Sequence, residues 1–159
     1  MGKSLLVAVV AVALASPVLA AGSSSSSRPP PATPTARTTD YDTGVKAVKA
    51  GDYQRALDLL HKVVQAEPRN ADAWNYIGFS ERNLGRFDPS LAAYQKALAI
   101  NPNHPGANEY LGELYLKLGD PEKARLQLAK LQSVCPSGCP EYNDLKKAVD
   151  AYPATQKKG

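Results

Sequence analysis

Residues 71–104 read ADAWNYIGFSERNLGRFDPSLAAYQKALAINPNH, and this segment contains the clearest secondary-structure pattern of the chain. Its apolar residues recur at the three- and four-residue spacing of a helix face, in two runs on either side of Gly85. Those residues are Trp74, Ile77, Phe79 and Leu84, followed by Leu91, Tyr94, Ala97 and Leu98. The stretch therefore predicts two amphipathic helices joined by a tight turn and closed by Pro102.

The same pattern occurs three times without insertion or deletion. From residue 37 onward the chain divides into blocks of 34 residues, 37–70, 71–104 and 105–138. The blocks share glycine at their eighth and fifteenth positions and proline near their ends. These markers are Gly44, Gly78 and Gly112, then Gly51, Gly85 and Gly119, then Pro68, Pro102 and Pro136. A period of this length is typical of stacked helical repeats.

Each marker has a physical reason. Glycine at the eighth position lets the second helix of a block approach the first closely. Glycine at the fifteenth position suits the left-handed conformation that ends many helices, and proline ends the second helix. After the third block, residues 141–152 repeat the apolar spacing, which predicts a capping helix over the last open face of the stack. Residues 153–159 are expected to form a flexible tail.

The middle block resembles the tetratricopeptide repeat (TPR), whose signature positions it fills with Trp74, Ile77, Gly78, Tyr94, Ala97 and Pro102. The third block matches through Leu111, Gly112, Tyr115, Ala124 and Pro136, and the first through Gly44, Ala56 and Pro68. The phrases NADAWNYIG, GANEYLGELYL and CPSGCPEYNDLKKA are similar to those of small exported proteobacterial TPR proteins. The resemblance implies an all-α fold, in which three helix-turn-helix repeats stack as a right-handed solenoid within residues 38–152.

The first 37 residues differ in composition from the repeats. Residues 1–20 carry Lys3, an apolar stretch, Pro17 and a small-residue end, which is typical of a signal peptide cleaved after Ala20 or Ala21. Residues 21–37 are rich in Ser and Pro and predict a disordered linker. We expect export, most simply to a bacterial periplasm. Secretion, or anchoring by an uncleaved signal, are the alternatives.

The resemblance also locates a candidate groove. In TPR folds the first helices line a concave face, and the second, fifth, ninth, twelfth and thirteenth positions of each repeat usually point into it. The candidate peptide- or partner-binding residues are Tyr41, Val45, Val48, Lys49, Asn75, Phe79, Arg82, Asn83, Glu109, Glu113, Leu116 and Lys117. The Lys, Asn and Arg clamp with which some TPR domains hold a terminal carboxylate is absent from the corresponding positions, so a receptor for chaperone tails is disfavoured.

Phe79 stands out within this set, because the repeat pattern places a polar residue there. An exposed aromatic ring would suit an apolar anchor in a groove, and packing on Val45 or the linker is the alternative. Asn75 and Asn83 are candidates for hydrogen bonds to a peptide backbone, and Lys49, Arg82 and Lys117 for carboxylate pairing. Glu81 replaces a usual aromatic residue, and we expect it to pair with Arg82 or Arg86.

Cys135 and Cys139 are the only cysteines, and the intervening Pro-Ser-Gly suits a turn that brings their sulfurs together. In an oxidising compartment they predict a disulfide that fastens the capping helix. No metal ligand set, cofactor motif or catalytic constellation is found in the sequence, and its interleaved charges give no indication of nucleic-acid binding.

The sequence therefore favours a non-catalytic adaptor of the cell envelope that binds another protein or a peptide, with no membrane insertion after signal cleavage. A self-assembling structural TPR protein is the main alternative. A thiol redox protein acting through Cys135 and Cys139 is a minor one.

Overall fold

The computed structural model of the protein describes the backbone of residues 34–153 and side chains from residue 39 onward. The predicted signal peptide, most of the linker and residues 154–159 of the tail lie outside the described residues. Between residues 34 and 153 the chain forms seven α-helices and no strand. They are α1 (Pro34–Lys49), α2 (Tyr53–Ala66), α3 (Ala71–Asn83), α4 (Phe87–Ile100), α5 (Pro105–Lys117), α6 (Pro121–Val134) and α7 (Pro140–Ala151).

The helices pair as the period predicts. α1 packs on α2, α3 on α4 and α5 on α6, so that each 34-residue block is one helical hairpin. α7 packs on both α5 and α6 at the end of the stack. The all-α helical repeat fold is thus confirmed. One boundary differs: α1 begins at Pro34, inside the segment assigned to the linker. Proline suits the first turn of a helix, because the N–H that it lacks would have no partner there.

The first helices of the hairpins form one continuous row. α1 contacts α3, α3 contacts α5 and α5 contacts α7. Among the described residues, the second helices do not contact one another: α2 is separate from α4, and α4 from α6. Because the first helices converge while the second helices spread apart, the row α1, α3, α5 and α7 lies on the concave side. This row carries the candidate groove.

The turns inside the hairpins depend on glycine, as the sequence predicts. Gly51, Gly85 and Gly119 have positive φ angles of 76°, 75° and 77°. This left-handed conformation is disfavoured for residues with a Cβ atom. Side chains cap α2 and α6, which follow two of these turns, and α3, which follows the proline turn after the first hairpin. The Oδ1 atom of Asp52 accepts from the backbone N–H of Arg55 at 3.3 Å, and Asn70 and Asp120 cap α3 and α6 in the same way.

The eighth-position glycines are sites of close helix contact. A Cβ atom on Gly78 would lie 2.6 Å from Cε1 of Tyr94, and one on Gly44 would lie 3.0 Å from Cγ of Leu60. In both cases the contact comes from the second helix of the same block, as expected. Gly112 differs, because the atoms nearest its Cβ position belong to Leu145 of α7, at 2.5 Å. Leu145 has no accessible surface, so the capping helix uses this notch as its main anchor.

Successive hairpins are also joined by hydrogen bonds at the fourth position of the blocks. The indole N–H of Trp74 donates to the carbonyl of Pro68 at 2.9 Å. One repeat later, Nδ2 of Asn108 donates to the carbonyls of Pro102 and His104 at 3.3 and 2.8 Å. A donor at this position therefore ties each block to the proline turn of the block before it. This fixes the spacing of the helices that form the concave row.

Candidate binding groove

The structure places all twelve candidate residues on α1, α3 and α5, but their exposure differs by position in the repeat. Three side chains at the thirteenth position are exposed along one edge, those of Lys49, Asn83 and Lys117. Five are partly exposed, namely Tyr41, Val45, Phe79, Glu113 and Leu116. Four are buried, namely Val48, Asn75, Arg82 and Glu109. The accessible floor is therefore narrower than the sequence indicates, because these four side chains pack between helices.

An aromatic cluster lies at the centre of the concave row, on α3 and α5, and one ring from α2 packs against it. The ring of Phe79 lies 4.9 Å from that of Tyr110 on α5 and 6.1 Å from that of Tyr53 on α2, measured between ring centroids. The guanidinium carbon of Arg82 lies 5.4 Å from the Phe79 centroid and 5.3 Å from the Tyr110 centroid. Such distances are typical of cation–π contacts. We call Tyr53, Phe79, Tyr110 and Arg82 the aromatic cluster.

Phe79 is partly buried and also packs against the apolar core that includes Val48 and Ile77. It is therefore a supported side chain that presents part of its ring, and not a free-standing aromatic. Tyr110 was not among the sequence candidates, because it lies at a sixth position. The sequence did contain a signal for Tyr110: α5 follows α3 in the row, and Tyr110 lies one helical turn before the position on α5 that is equivalent to Phe79.

The charge of Arg82 is already used within the fold. Its guanidinium pairs with the carboxylate of Glu113, and its side chain is only 8 % exposed, against 28 % for Glu113. The expectation that Arg82 offers a cation to a partner's carboxylate is therefore corrected. Glu81 pairs with Arg86, whose Nη1 atom lies 3.3 Å from Oε2, which confirms one of its two expected partners and leaves Arg82 to Glu113.

Glu109 has the least usual environment in the groove. The residue is 7 % exposed, and no hydrogen bond or ion pair to its carboxyl group is found among the described residues. Burial raises the pKa of this carboxyl to about 8, and the nearby charges of Glu113, Asp144 and Glu141 raise it further, while that of Arg82 lowers it. Asp144 and Glu141 belong to α7. The burial of Glu109 could not be read from its own repeat, because α7 covers it.

Asn75 occupies the equivalent fifth position one repeat earlier and is 5 % exposed. Its Oδ1 atom is buried and has no hydrogen-bond partner among the described residues. Asn83 is exposed, but its Nδ2 donates to the carbonyl of Phe79 at 2.8 Å, within the same helix. Of the two amides expected to meet a peptide backbone, Asn83 therefore lies on the surface and Asn75 lies between α3 and α5.

Cys135 and Cys139 form the predicted disulfide, with their Cα atoms 5.8 Å apart. Cys135 follows the last residue of α6 and Cys139 precedes the first residue of α7, so the bond spans the turn between these helices. Within residues 39–153 no group of three or more His, Cys, Asp and Glu side chains is arranged to hold a metal ion. In the same part of the chain, no helix has the length and apolar character needed to cross a bilayer.

The concave row thus combines three kinds of surface. The aromatic cluster lies at its centre, Lys49 and Lys117 lie along one edge, and α5 carries the carboxyl groups of Glu109 and Glu113. A groove with apolar, cationic and anionic parts suits contact with an extended or helical polypeptide.

Comparison with known proteins agrees with this architecture. Two family models, both described as tetratricopeptide repeat, match residues 41–105 and 82–149. The chain is 30 % identical over 105 residues to protein FlbA of Caulobacter vibrioides, covering 66 % of this chain and 18 % of that protein. It is 36 % identical over 72 residues to tetratricopeptide repeat protein 37 of Xenopus laevis, covering 45 % of this chain and 5 % of that protein. The chain therefore spans less than a fifth of these relatives.

Solved structures show the same fold. The first TPR domain of Spaghetti (RPAP3), bound to an HSP90 peptide, superposes with a TM-score of 0.66 at 21 % identity, covering 76 % of this chain and 96 % of that one. The Yersinia enterocolitica secretion chaperone SycD, in complex with a peptide of the translocator YopD, superposes with a TM-score of 0.66 at 16 % identity. The match covers 76 % of this chain and 91 % of SycD. MamA MSR-1 superposes with a TM-score of 0.58 at 26 % identity, and the match covers 65 % of this chain and 59 % of that one.

Proposed function

This chain belongs to the tetratricopeptide repeat family, and from that membership we propose that its concave groove binds a peptide segment or a partner helix, as a non-catalytic adaptor of the cell envelope. The family models describe a repeat and not an enzyme family.

The observation that carries the proposal is the aromatic cluster at the centre of the concave row. The ring of Phe79 is held from two sides by Tyr53 and Tyr110, and Arg82 is fixed over it by its ion pair with Glu113. A partly exposed aromatic side chain that is immobilised in the free protein loses little conformational entropy on binding. Such side chains are enriched among those that dominate interface energy.

The solved neighbours support a polypeptide as the ligand. Besides the RPAP3 and SycD complexes, PcrH in complex with the chaperone-binding region of PopD superposes with a TM-score of 0.66 at 18 % identity. These neighbours are too distant for their ligands to be transferred. They support the proposal because the same helical scaffold holds a segment of another protein in each of the three complexes.

Export to the periplasm is the second part of the proposal and rests on the amino-terminal sequence. Residues 1–20 have the charge, the apolar stretch and the small-residue end of a signal peptide. A disulfide between Cys135 and Cys139 is consistent with an oxidising compartment. We expect the mature protein in the periplasmic fraction, with an amino terminus at Ala21 or Gly22 and no free thiol.

The function is tested by affinity capture from cell-envelope extract, with the mature protein, Phe79→Ala and Leu126→Ala as parallel baits and mass spectrometry as the readout. Leu126 is the matched control, because it is an apolar residue that is 67 % exposed on α6, away from the concave row. We expect a protein that is retained by the wild type and the Leu126 variant and lost from the Phe79 variant. A synthetic segment of that protein should then bind with about micromolar affinity.

Either of two results would reject the proposal. Capture that survives Phe79→Ala would move the binding site to another surface. Empty captures, together with concentration-dependent light scattering of the purified protein, would favour the self-assembling alternative.

A further inference from the structure

Three tyrosines follow one another across the first helices of the stack. Tyr41 lies on α1, Tyr76 on α3 and Tyr110 on α5, and all three side chains are partly exposed. The ring centroids of Tyr41 and Tyr76 are 6.3 Å apart. Phe79, one helical turn after Tyr76, continues the ring contacts to Tyr110 at 4.9 Å. We call Tyr41, Tyr76 and Tyr110 the tyrosine row.

The fold does not use the hydroxyl groups of the tyrosine row. Among the described residues, no hydrogen bond to or from any of the three is found. A phenolic hydroxyl can donate one hydrogen bond to an oxygen atom of a ligand. The row therefore presents apolar rings and hydrogen-bond donors on the same surface.

Asn75 adds an independent polar group beside the row. The residue is 5 % exposed, and its side-chain amide has no hydrogen bond among the described residues. Its Nδ2 atom lies 3.2 Å from the point where a Cβ atom of Gly106 would stand, and Cε2 of Tyr110 lies 3.8 Å from the same point. The missing side chain of Gly106 thus leaves a notch between α3 and α5 beside this amide. A buried amide without a hydrogen bond is unfavourable, and a ligand carbonyl would supply the missing partner.

The charged groups beside this notch already have partners within the fold. Arg82 of α3 pairs with Glu113 of α5. Asp72 of α3 has its Oδ1 atom 2.9 Å from Nε2 of His104, the residue that caps α5. Charge complementarity therefore favours a ligand segment that is uncharged where it crosses from α3 to α5.

A proline-rich segment in the polyproline II conformation has the matching chemistry. Proline contributes an apolar ring and a carbonyl group but no backbone N–H, so the polar atoms of such a segment are acceptors. The polyproline II helix forms no internal hydrogen bonds, which leaves its carbonyl groups available, and aromatic-lined grooves are known receptors for it. Three residues of this helix rise by about 9 Å. Packed helices are about 8–10 Å apart, so successive turns of the ligand would meet successive helices of the row.

We infer that the tyrosine row and Asn75 form a binding site for a proline-rich segment of a partner protein. This inference rests on the proposed function, because it assigns a class of ligand to the same groove. The tyrosine rings pack on proline rings, and the tyrosine hydroxyl groups and Nδ2 of Asn75 donate to main-chain carbonyl groups of the ligand.

The test is the binding of a synthetic peptide of about ten prolines, about 31 Å long, to the mature protein, measured by titration calorimetry. An uncharged Gly-Ser peptide of the same length is the reference ligand, and we expect saturable binding of the proline peptide alone. Tyr76→Phe and Tyr110→Phe keep the rings and remove the hydroxyl groups. Each should lower the affinity about three- to tenfold, the effect of losing one hydrogen bond. Asn75→Ala should act in the same direction, and the two tyrosine variants keep the test decisive if that change disturbs the packing of α3 on α5.

Tyr115→Phe is the matched control. Tyr115 is a partly exposed tyrosine of α5 that lies outside the row, with Nζ of Lys123 on α6 located 5.4 Å from its ring centroid. Its replacement should leave the affinity unchanged. Failure of the proline peptide to bind, or equal affinity in the wild type and in both Tyr76→Phe and Tyr110→Phe, would overturn the inference.

The outcomes separate this inference from the function beneath it. Capture of a partner that depends on Phe79 but binds through a segment without a proline run would overturn the proline site and leave the groove assignment standing. Contacts that depend on Phe79 and form only between copies of this chain would assign the groove to self-assembly and reject both.

Discussion

The carboxyl group of Glu109 takes its properties from residues far from it in the sequence. Its own helix supplies Glu113, the preceding repeat supplies Arg82, and the capping helix supplies Glu141 and Asp144. Burial is the main cause of its raised pKa of about 8. At neutral pH the folded protein therefore retains a proton on Glu109 that the unfolded chain releases.

This proton makes the stability of the protein depend on pH in a defined direction. Below pH 4.5, the ordinary pKa of the group, the carboxyl of Glu109 is protonated in both the folded and the unfolded chain. Its ionisation then makes no difference to the free energy of unfolding. Between 4.5 and about 8 the unfolded chain alone loses the proton, so the free energy of unfolding falls as pH rises. Urea unfolding at about pH 5, 7 and 9 should show this loss in the wild type and a smaller loss in Glu109→Gln.

At the highest pH we expect the free energy of unfolding of Glu109→Gln to exceed that of the wild type by about 1–3 kcal/mol. Glu113→Gln is the comparison variant, because it removes the partner of buried Arg82 and should lower stability instead. Equal pH dependence in the wild type and Glu109→Gln would contradict the described environment of Glu109.

Gly78 provides a second test at the scale of single residues. An added methyl group would lie 2.6 Å from the ring of fully buried Tyr94, closer than the two atoms can approach. Gly78→Ala should lower the free energy of unfolding by about 1–2 kcal/mol, since overpacking exceeds the gain in helix propensity. Chemical denaturation measures this cost.

Tyr94→Ala is the background that separates packing from backbone effects, because the ring that the new methyl group meets is then absent. In that background Gly78→Ala should be neutral or stabilising. The same penalty with and without the ring would show that close helix packing is not the reason for glycine at this position.

Single residues also show what the sequence could and could not predict. The Glu81–Arg86 pair followed from a charged residue at a usually aromatic position, and the structure confirms it. The burial of Asn75 and Glu109 was missed, because it depends on the packing of α3 against α5 and of α5 against α7. The burial of these two side chains therefore depends on how closely neighbouring repeats pack. The residue pattern of a single repeat carries no information about that packing.

Among the helices, α7 has the least usual attachment. Leu145 fills the notch over Gly112, and the Cys135–Cys139 disulfide closes the turn from α6. Two other residues of α7, Glu141 and Asp144, repel the ionised form of Glu109 and so raise the pKa of its carboxyl group. The period of 34 predicted the helices of the three blocks and their glycine turns. It did not predict that Gly112 would receive a side chain from α7, because α7 lies beyond the third block.

Removal of the disulfide should loosen α7 before the rest of the stack. Replacing both cysteines with serine should lower the free energy of unfolding by about 2 kcal/mol, because the closed ring is small. Amide hydrogen exchange should become faster in α7 and change little in α3 and α4. The α3–α4 hairpin is the comparison, because it has a neighbouring hairpin on both sides and lies farther from the disulfide than α5 and α6.

A uniform change in exchange across all helices would contradict this prediction. It would mean that α7 and the three hairpins unfold as one cooperative unit, and that the disulfide is not a local fastening. Leu145→Ala is the complementary variant, because it removes the apolar anchor of α7 and leaves the disulfide in place.

At the scale of the whole molecule, the described residues form a stack in which the first helices converge and the second helices spread apart. The sequence predicted this arrangement because three registered repeats and their turn residues all favour it. The floor of the groove was predicted less well, since four of twelve candidates are buried and Tyr110 was missed. Exposure depends on contacts between hairpins, whereas the repeat pattern records mainly contacts within them.

We propose that the concave row is the surface that contacts another polypeptide. The most direct test of this proposal is photo-crosslinking in the living cell, with a photoreactive amino acid placed at Val45, Asn83 or Lys117 in the groove, or at Leu126 on α6. These groove positions are partly or fully exposed, so they tolerate a larger side chain. We predict adducts to one partner protein from the groove positions and none from Leu126. Adducts formed only at Leu126, or only between copies of this chain, would contradict the claim.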